Sequence, residues 1–268
     1  MNLSEYGSAA RPLRPSQVDK LVKCSVQAVL LMLEPEDTLG GKAAQTGQAV
    51  HAAAAAYHNE PFADRKVQAG LDAIQLGLPT FPDAEVEDAR RSYLLYAADP
   101  RNAAARLVAV EKKVRLELPP HPTDRTGQPV VFEGTTDQIR FDQANRLTVC
   151  DIKTGAPSGW QMMHDYAYQM AAYTLAARAS GFPDAVPGAI IRTAGYRTRA
   201  AVLPSPDGVF FWQPFTVDDC YFLLERVQYE VARVRAGEVL FGPGVQCTYC
   251  PIGGLQSCLP KARAKLGI

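Results

Sequence analysis

Two β-rich runs separated by a very short connection constrain the fold of this chain most strongly. Residues 129–141 and 146–153 are rich in Val, Ile, Leu, Phe and Thr. Residues 143–145, which lie between them, suit a tight turn. We therefore expect the two runs to form neighbouring antiparallel strands.

Two acids and a lysine in these predicted strands form the first candidate site. Asp137 ends Gly134-Thr-Thr-Asp137, and the second strand ends with Asp151-Ile-Lys153. Alternate side chains of a strand share a face, so Asp151 and Lys153 point the same way, and the carbonyl of Ile152 lies nearby. Because Mg²⁺ and Mn²⁺ prefer oxygen ligands and acidify bound water, the two acids could hold such an ion beside a phosphodiester. Lys153 would then stabilise charge on the phosphate.

A plainer explanation of the same residues stays open at this point. The acids and the lysine could belong to a surface hairpin and form solvated ion pairs, which are common and contribute little stability.

Two further motifs lie in segments whose patterns predict helices. Gly47-Gln-Ala-Val-His51 lies in the alanine-rich stretch 42–57, and Gln169-Met-Ala-Ala-Tyr173 lies in the amphipathic run 161–179. Gln169 and Tyr173 are four residues apart, so they share one helix face. Taken alone, His51 is better explained as a histidine packed beneath the alanines.

With these four motifs in this order, the chain resembles the RecB-like branch of the PD-(D/E)XK nuclease superfamily. That branch includes the AddB-type recombination nucleases and the CRISPR-associated iron-sulfur exonucleases. Its members carry Gly-x-x-x-His, Gly-x-x-Asp, Asp/Glu-x-Lys and Gln-x-x-x-Tyr in sequence, and all four occur here between Gly47 and Tyr173.

The resemblance implies a role for each residue of these motifs. The implied ligands of Mg²⁺ or Mn²⁺ are His51, Asp137, Asp151 and the carbonyl of Ile152. Lys153 is the implied catalytic lysine, and Gln169 and Tyr173 would position the DNA strand or support the lysine.

Two other sets of charged residues are weaker candidates. Glu111, in the strand-like run 107–118, is either an acid behind the metal ligands or part of a solvated Glu111-Lys112-Lys113 face, and we favour the solvated face. Arg197 and Arg199 share a face of a predicted strand. They are candidate DNA contacts or exposed arginines that discourage edge pairing.

Four of the six cysteines form a recognisable group. Cys24 lies near the start, and Cys247-Thr-Tyr-Cys250 and Cys258 lie near the end. The resemblance implies that these four hold a structural 4Fe-4S cluster that joins the two ends of the chain. Tetrahedral Zn²⁺ also accepts four thiolates, and the sequence does not separate the two. Disulfides are disfavoured, because no secretory segment is present and this chemistry belongs inside cells. Cys150 and Cys220 are expected to be buried apolar residues.

The order of predicted elements indicates a single α/β domain with a mixed central sheet flanked by helices. Residues 1–100 form an N-terminal helical part, 101–236 the nuclease core and 237–268 the cysteine-rich segment. Ser16 is expected to cap a helix that runs to about Leu33. Strands are expected near 107–118, 129–141, 146–153, 189–203 and 209–212, and a last helix over 216–235.

The composition limits the kinds of partner and the cellular location that we expect for this protein. Lys+Arg and Asp+Glu balance at 28 each, so DNA contact must come from a local basic patch. No apolar run reaches the ~20 residues that span a bilayer, and we expect a cytoplasmic protein of a bacterial, archaeal or phage-infected cell. The sequence has no Gly-x-x-x-x-Gly-Lys-Ser/Thr phosphate loop, so a helicase would have to unwind any duplex.

The resulting expectation is a metal-dependent DNA exonuclease that acts on single strands or duplex ends. The process would be recombination, repair, phage DNA processing or CRISPR adaptation, with a helicase, a recombinase or CRISPR integration proteins as partners. Two alternatives are a catalytically inactive, nuclease-like DNA-binding scaffold and a zinc-stabilised version of the fold.

Overall fold

The structure is a computed structural model that describes most of the chain. The described residues are 3–33, 42–59, 66–154, 165–193, 196–197, 202–203, 210–240, 242, 258, 260–262 and 264. Cys247, Cys250 and Arg199 lie outside them, and Arg197 is described by its backbone alone.

Among the described residues, the part of the chain up to residue 103 is mainly helical. A short 3₁₀ turn at Leu3–Glu5 is followed by α1 (Pro15–Lys23), α2 (Ser25–Leu33), α3 (Lys42–Asn59), α4 (Val67–Gly77), α5 (Asp83–Ala98) and α6 (Pro100–Ala103). None of the helices in the described residues is long and apolar enough to cross a membrane.

Strands dominate the second half of the described chain. They are β1 (Arg106–Leu118), β2 (Val130–Phe141), β3 (Leu147–Lys153), β4 (Val186–Arg192), β5 (Tyr196–Arg197), β6 (Val202–Leu203) and β7 (Phe210–Trp212). Helix α7 (Ala167–Ala179) lies between β3 and β4, and α8 (Val217–Arg235) follows β7.

The main sheet has five strands in the order β1-β2-β3-β4-β7. The β2–β3 pair is antiparallel, as the short connection predicted, and β1–β2 and β4–β7 are antiparallel as well. Strands β3 and β4 are parallel, because α7 carries the chain back across the sheet before β4 begins. The mixed sheet flanked by helices is therefore confirmed.

Each face of the sheet packs against its own layer of helices. One face places Ile139, Val149 and Ile190 against a buried cluster that includes side chains of α1, α7 and α8. The other face places Ile152 and Ile191 against side chains of α3, α4 and α5. Burial of alternate residues on opposite faces is what two covered faces require.

The predicted helix from Ser16 to Leu33 is wrong in two respects. Pro15 is the first residue of α1, and Arg14 occupies the N-cap position without a side-chain hydrogen bond, so Ser16 is not the cap. Proline suits this first position because its missing N–H has no partner there in any helix. The helix also ends at Lys23, since Cys24 has extended backbone angles (φ −162°, ψ 97°) and separates α1 from α2.

The strand expected over 189–203 is also wrong. It begins earlier, at Val186, and ends at Arg192. Residues Tyr196–Arg197 pair instead with Val202–Leu203 in a separate two-stranded sheet.

Strands β1 and β2 change faces near their middle, where Glu111 stands opposite Asp137. On one side of this point the odd-numbered residues Ala109 and Ile139 face the core formed with α7. On the other side the even-numbered residues Val114, Leu116 and Phe132 face the same core. Glu111 lies at the change and has a positive φ of 48°. Such an angle is uncommon outside glycine and carries strain that surrounding packing must hold in place.

Candidate active site

His51 and Asp137 come together from a helix and a strand that are far apart in sequence. The Nδ1 atom of His51, on α3, lies 3.1 Å from Oδ1 of Asp137 on β2. His51 is partly exposed and the Asp137 carboxyl is almost buried. Four residues earlier on α3, Gly47 faces Thr154, whose Oγ1 would lie 3.3 Å from a Cβ at that position. The glycine of the first motif thus lets α3 approach the end of β3.

The second oxygen of Asp137 binds the backbone of β3. The regular β2–β3 ladder reaches Gln138 opposite Cys150. Beyond it, the N–H of Ile152 donates to Oδ2 of Asp137 at 2.6 Å. A residue in an extended strand directs its N–H and its C=O to the same side, so the Ile152 carbonyl also faces the Asp137 edge of β3.

Asp151 is held by two neighbours on the α7 side of the sheet. Its Oδ1 accepts a hydrogen bond from the side-chain amide of Gln169 at 2.9 Å, and its Oδ2 lies 2.7 Å from Nζ of Lys153. The Nζ of Lys153 also lies 5.0 Å from the ring centre of Tyr166, within cation–π range. No sequence motif pointed to Tyr166.

Glu111 lies close to this group, although its side chain is exposed, as expected of a residue on a solvated face. Val110 pairs with Gln138 and Lys112 with Thr136, so Glu111 stands opposite Asp137. Ligand atoms of His51, Glu111 and Asp137 all lie within 4.8 Å of one another. Glu111 is exposed on the outer side of this cluster. The alternation of a regular strand does not reveal the position, because β1 changes faces here.

The buried charges shift one another's proton affinities. Burial raises the pKa of Asp151, and the neighbouring Asp137 raises it further, although Lys153 opposes both effects. Burial also acts to raise the pKa of Asp137, but the charges of His51 and Lys153 and the Ile152 N–H outweigh it and lower that pKa. Loss of part of its hydration and the charges of Asp137 and Asp151 raise the pKa of Glu111, although its side chain remains exposed. Three carboxyls therefore compete for the positive charge in the site.

Tyr173 lies one helical turn beyond Gln169, and its ring is buried. It packs close to Gly134, where an added Cβ would lie 3.5 Å from Cε1 of Tyr173 and only 2.8 Å from Cδ of Pro15. The glycine of the Gly-x-x-Asp motif thus allows α1 and α7 to approach β2 closely. Burial raises the pKa of Tyr173 well above its usual range, which keeps its hydroxyl protonated.

The donor set fits a hard divalent cation. Carboxylate oxygens with one imidazole are typical ligands for Mn²⁺ and acceptable for Mg²⁺. A cation would also relieve the repulsion between the acids. Oδ2 of Asp151 is buried and, despite its nearness to Lys153, accepts no well-directed hydrogen bond among the described residues. This oxygen therefore has room for a further partner.

The two described cysteines of the predicted cluster lie in one place. Cys24, at the break between α1 and α2, and Cys258 are both buried in a small cluster with Val26, Leu30 and Leu31. The remaining two, Cys247 and Cys250, are outside the described residues. Cys150 and Cys220 are buried in the main cores, as expected.

Comparison with known proteins identifies the family. The family profile of the PD-(D/E)XK nuclease superfamily matches residues 12–255, which is most of the chain, and the chain therefore belongs to this superfamily of metal-dependent nucleases. A solved structure titled "Crystal structure of SSO0001" is 15% identical, with 77% of this chain and 82% of that chain covered and a TM-score of 0.34. No curated protein matches the chain.

Proposed function

We propose that the protein is a Mg²⁺- or Mn²⁺-dependent DNA exonuclease of the RecB-like branch. The observation that carries this proposal is the contact between His51 and Asp137, 3.1 Å apart, beside the paired Asp151 and Lys153. A surface hairpin with solvated ion pairs would not need a histidine from a distant helix. A set of metal ligands, in contrast, would be completed by it.

The proposed ligands are His51, Asp137, Asp151 and the Ile152 carbonyl, with Glu111 as an additional acid in reach. When bound, the metal would lower the pKa of a water and offset charge on the phosphate. His51 must be neutral to serve as a metal ligand. In the metal-free protein, burial acts to lower the pKa of His51, but Asp137 and Asp151 outweigh this effect and raise that pKa. Metal binding should therefore release a proton.

The roles of the other side chains follow from their contacts. Lys153 stays protonated, because Asp151 and Asp137 outweigh the effect of burial and raise its pKa; it can hold a phosphate oxygen. Gln169 fixes the rotamer of Asp151 through its 2.9 Å hydrogen bond. It thereby keeps one carboxylate oxygen of Asp151 turned towards Lys153.

The experiment is digestion of DNA that carries different labels on its two ends. With Mn²⁺ or Mg²⁺, the protein should shorten the DNA progressively from an end, and Asp151→Asn should lose this activity while its circular dichroism stays unchanged. Internal cleavage would make the protein an endonuclease. Intact DNA with every divalent metal would favour the inactive DNA-binding scaffold.

We further propose that Cys24, Cys247, Cys250 and Cys258 hold a structural 4Fe-4S cluster. The support is that Cys24 and Cys258, from opposite ends of the chain, share one buried cluster of side chains. The chain after α8 also contacts the α1–α2 corner directly, since Leu240 N–H donates to Ser25 Oγ at 2.6 Å. A ligand set that joins both ends would stabilise this contact by reducing the entropy of the unfolded chain.

Metal analysis after anaerobic purification tests the cluster. A brown protein with broad absorbance near ~400 nm and about four iron atoms per chain is expected, and Cys258→Ser should lose the iron. Cys220→Ser is the matched control, because Cys220 is buried in the main core and should leave the iron content unchanged. One zinc atom in a colourless protein would establish the zinc-stabilised alternative.

The proposed biological setting is recombination, repair, phage DNA processing or CRISPR adaptation in the cytoplasm. Because the sequence has no phosphate-binding loop for ATP-driven unwinding, a helicase, recombinase or CRISPR integration protein would supply the DNA end. Copurification of such a partner with tagged protein would test the setting.

A further inference from the structure

A cleft of about 820 Å³ opens beside the candidate active site. One wall is formed by the segment that leads into α1, by the start of α1 and by the end of α2. The other wall is the β1–β2 pair around Lys113 and Thr135, and Tyr173 and Gly134 lie at the base. The cleft thus lies between the N-terminal helices and the strands that carry the catalytic motif.

The cleft continues directly from the group of acids. Lys113 pairs with Thr135 in the β1–β2 ladder; Lys113 lies two residues after Glu111, and Thr135 lies two residues before Asp137. At about 3.4 Å per residue, this separation is about 7 Å along the strands. A chain lying in the cleft would therefore reach the acids with its next phosphate or two.

Basic side chains line the cleft at fixed positions. Lys113 is exposed on one wall, and Arg11 and Arg14 lie on the other. The backbone of Leu13, just before Arg14, is held to β2 by hydrogen bonds of 2.8 Å to Val131 and 2.9 Å from Glu133. Arg14 is thus presented by a rigid segment. A chain with no net charge attracts nucleic acid only through local basic patches. These three side chains are candidates for such a patch.

The acid in the cleft does not cancel this positive charge. Glu133 is paired with Arg115, whose Nη1 lies 2.8 Å from its carboxylate. The ion pair between Arg11 and Glu5 is 3.7 Å long and half exposed, so it contributes little and can open when an anion approaches.

Resting on the proposed nuclease function, we propose that this cleft binds the backbone of a single nucleic-acid strand, with Arg14 and Lys113 on opposite sides of it as phosphate contacts. The volume is within the range of clefts for small molecules, which suits a short length of one strand and not the two backbones of a duplex. A groove with basic walls and an aromatic base is typical of single-strand binding.

Binding can be measured apart from cleavage. In an Asp151→Asn background, fluorescence anisotropy of a labelled oligothymidylate of about 15 nucleotides gives the affinity for one strand, and a duplex of equal length gives the comparison. Arg14→Ala and Lys113→Ala should each weaken single-strand binding about tenfold and reduce the slope of log affinity against log salt by about 0.7. Lys112→Ala, one residue away and outside the cleft lining, is the matched control and should change neither quantity.

A second readout separates this proposal from the nuclease proposal. Hydrolysis of bis(p-nitrophenyl) phosphate with Mn²⁺ needs the acids but no strand, so hydrolysis by the wild-type chain that is lost in Asp151→Asn tests the nuclease without involving the cleft. If the wild-type chain did not hydrolyse bis(p-nitrophenyl) phosphate, the nuclease proposal would be contradicted, and the measurement of strand binding in the cleft would still apply. The assignment of the cleft would be overturned if Arg14→Ala and Lys113→Ala both kept the wild-type affinity for the single strand. It would also be overturned if the protein bound the duplex more tightly than the single strand and both variants lost that duplex binding.

Discussion

Asp19 and Gln169 are 150 residues apart, yet Oδ2 of Asp19 accepts the backbone N–H of Gln169 at 3.0 Å. Asp19 lies on α1 and is almost fully buried, and it also accepts from the backbone of Tyr168. It therefore satisfies N–H groups in the first turn of α7, which no residue within that helix can do. The Gln169 side chain in turn holds Asp151, so α1 is linked to a proposed metal ligand through one residue.

Replacing Asp19 should show this link. Asp19→Ala leaves two buried N–H groups without their acceptor, and we expect a loss of about 1–3 kcal/mol in the free energy of unfolding. Asp19→Asn keeps an acceptor oxygen and should lose less. Urea denaturation measures both variants. Equal stability of Asp19→Ala and the wild-type protein would contradict the capping role.

The pH dependence of stability should also report on Asp19. Burial raises its pKa from 3.8 to about 7, against the opposing effect of Lys23 and the α7 N–H groups. A raised pKa means that the folded protein binds the proton more tightly, so this contribution is complete below about pH 4 and is lost as pH rises through 7. The advantage of the wild-type chain over Asp19→Asn should therefore shrink between pH 5 and pH 7, by at most about 1.4 kcal/mol per pH unit. Denaturation in chelator at several pH values measures it, and a difference that grew with pH would contradict this assignment.

Glu111→Gln should separate metal binding from stability. Glu111 stands opposite Asp137 within reach of His51, so we expect Mn²⁺ affinity, measured by calorimetry, to fall about 10- to 100-fold. The metal-free protein should become slightly more stable, because one of three competing carboxyls is gone. Glu133→Gln, on the exposed part of β2, is the control and should keep the wild-type Mn²⁺ affinity. Equal affinities in both variants would remove Glu111 from the ligand set.

The two motif glycines should differ in their tolerance of alanine. A Cβ on Gly134 would lie 2.8 Å from Cδ of Pro15, and the proline ring cannot turn away, so Gly134→Ala should cost about 1–3 kcal/mol. A Cβ on Gly47 would meet only Oγ1 of Thr154 at 3.3 Å, and alanine is the better helix former. Gly47→Ala should therefore be neutral or stabilising by up to about 1 kcal/mol. Thermal denaturation compares them, and the reverse order would show that the close approach of α1 to β2 can relax.

The sequence predicted the central sheet well for a physical reason. Residues 129–153 contain two β-rich runs and a four-residue connection, and such a short loop permits only an antiparallel hairpin. The grouping of His51 with Asp137 was expected only through the resemblance to a family, and the contact of Gln169 with Asp151 was not expected, because Gln169 was predicted to position the DNA strand or support the lysine. His51 and Asp137 are 86 positions apart in the sequence. A contact over that separation cannot be predicted from the local pattern of apolar and polar residues.

Glu111 and Cys24 show where local pattern fails. Glu111 is exposed, as expected, but the local pattern did not predict that it stands close to His51 and Asp137 at a point where the strand has a positive φ. Cys24 was expected within a continuous helix, whereas its backbone is extended and the chain after α8 contacts the neighbouring Ser25. In both cases a tertiary arrangement overrides the propensity of the segment.

The bond between Ser25 and Leu240 bears on how the protein is made. Because Ser25 Oγ both accepts from the Leu240 N–H and donates to its carbonyl, the corner between the first two long helices remains uncovered until the ribosome has translated residue 240. Until that residue has emerged, a nascent chain would expose apolar side chains of this corner such as Val26 and Leu30, at the stage when chaperones act. Folding of this corner is thus tied to the emergence of the segment that follows α8.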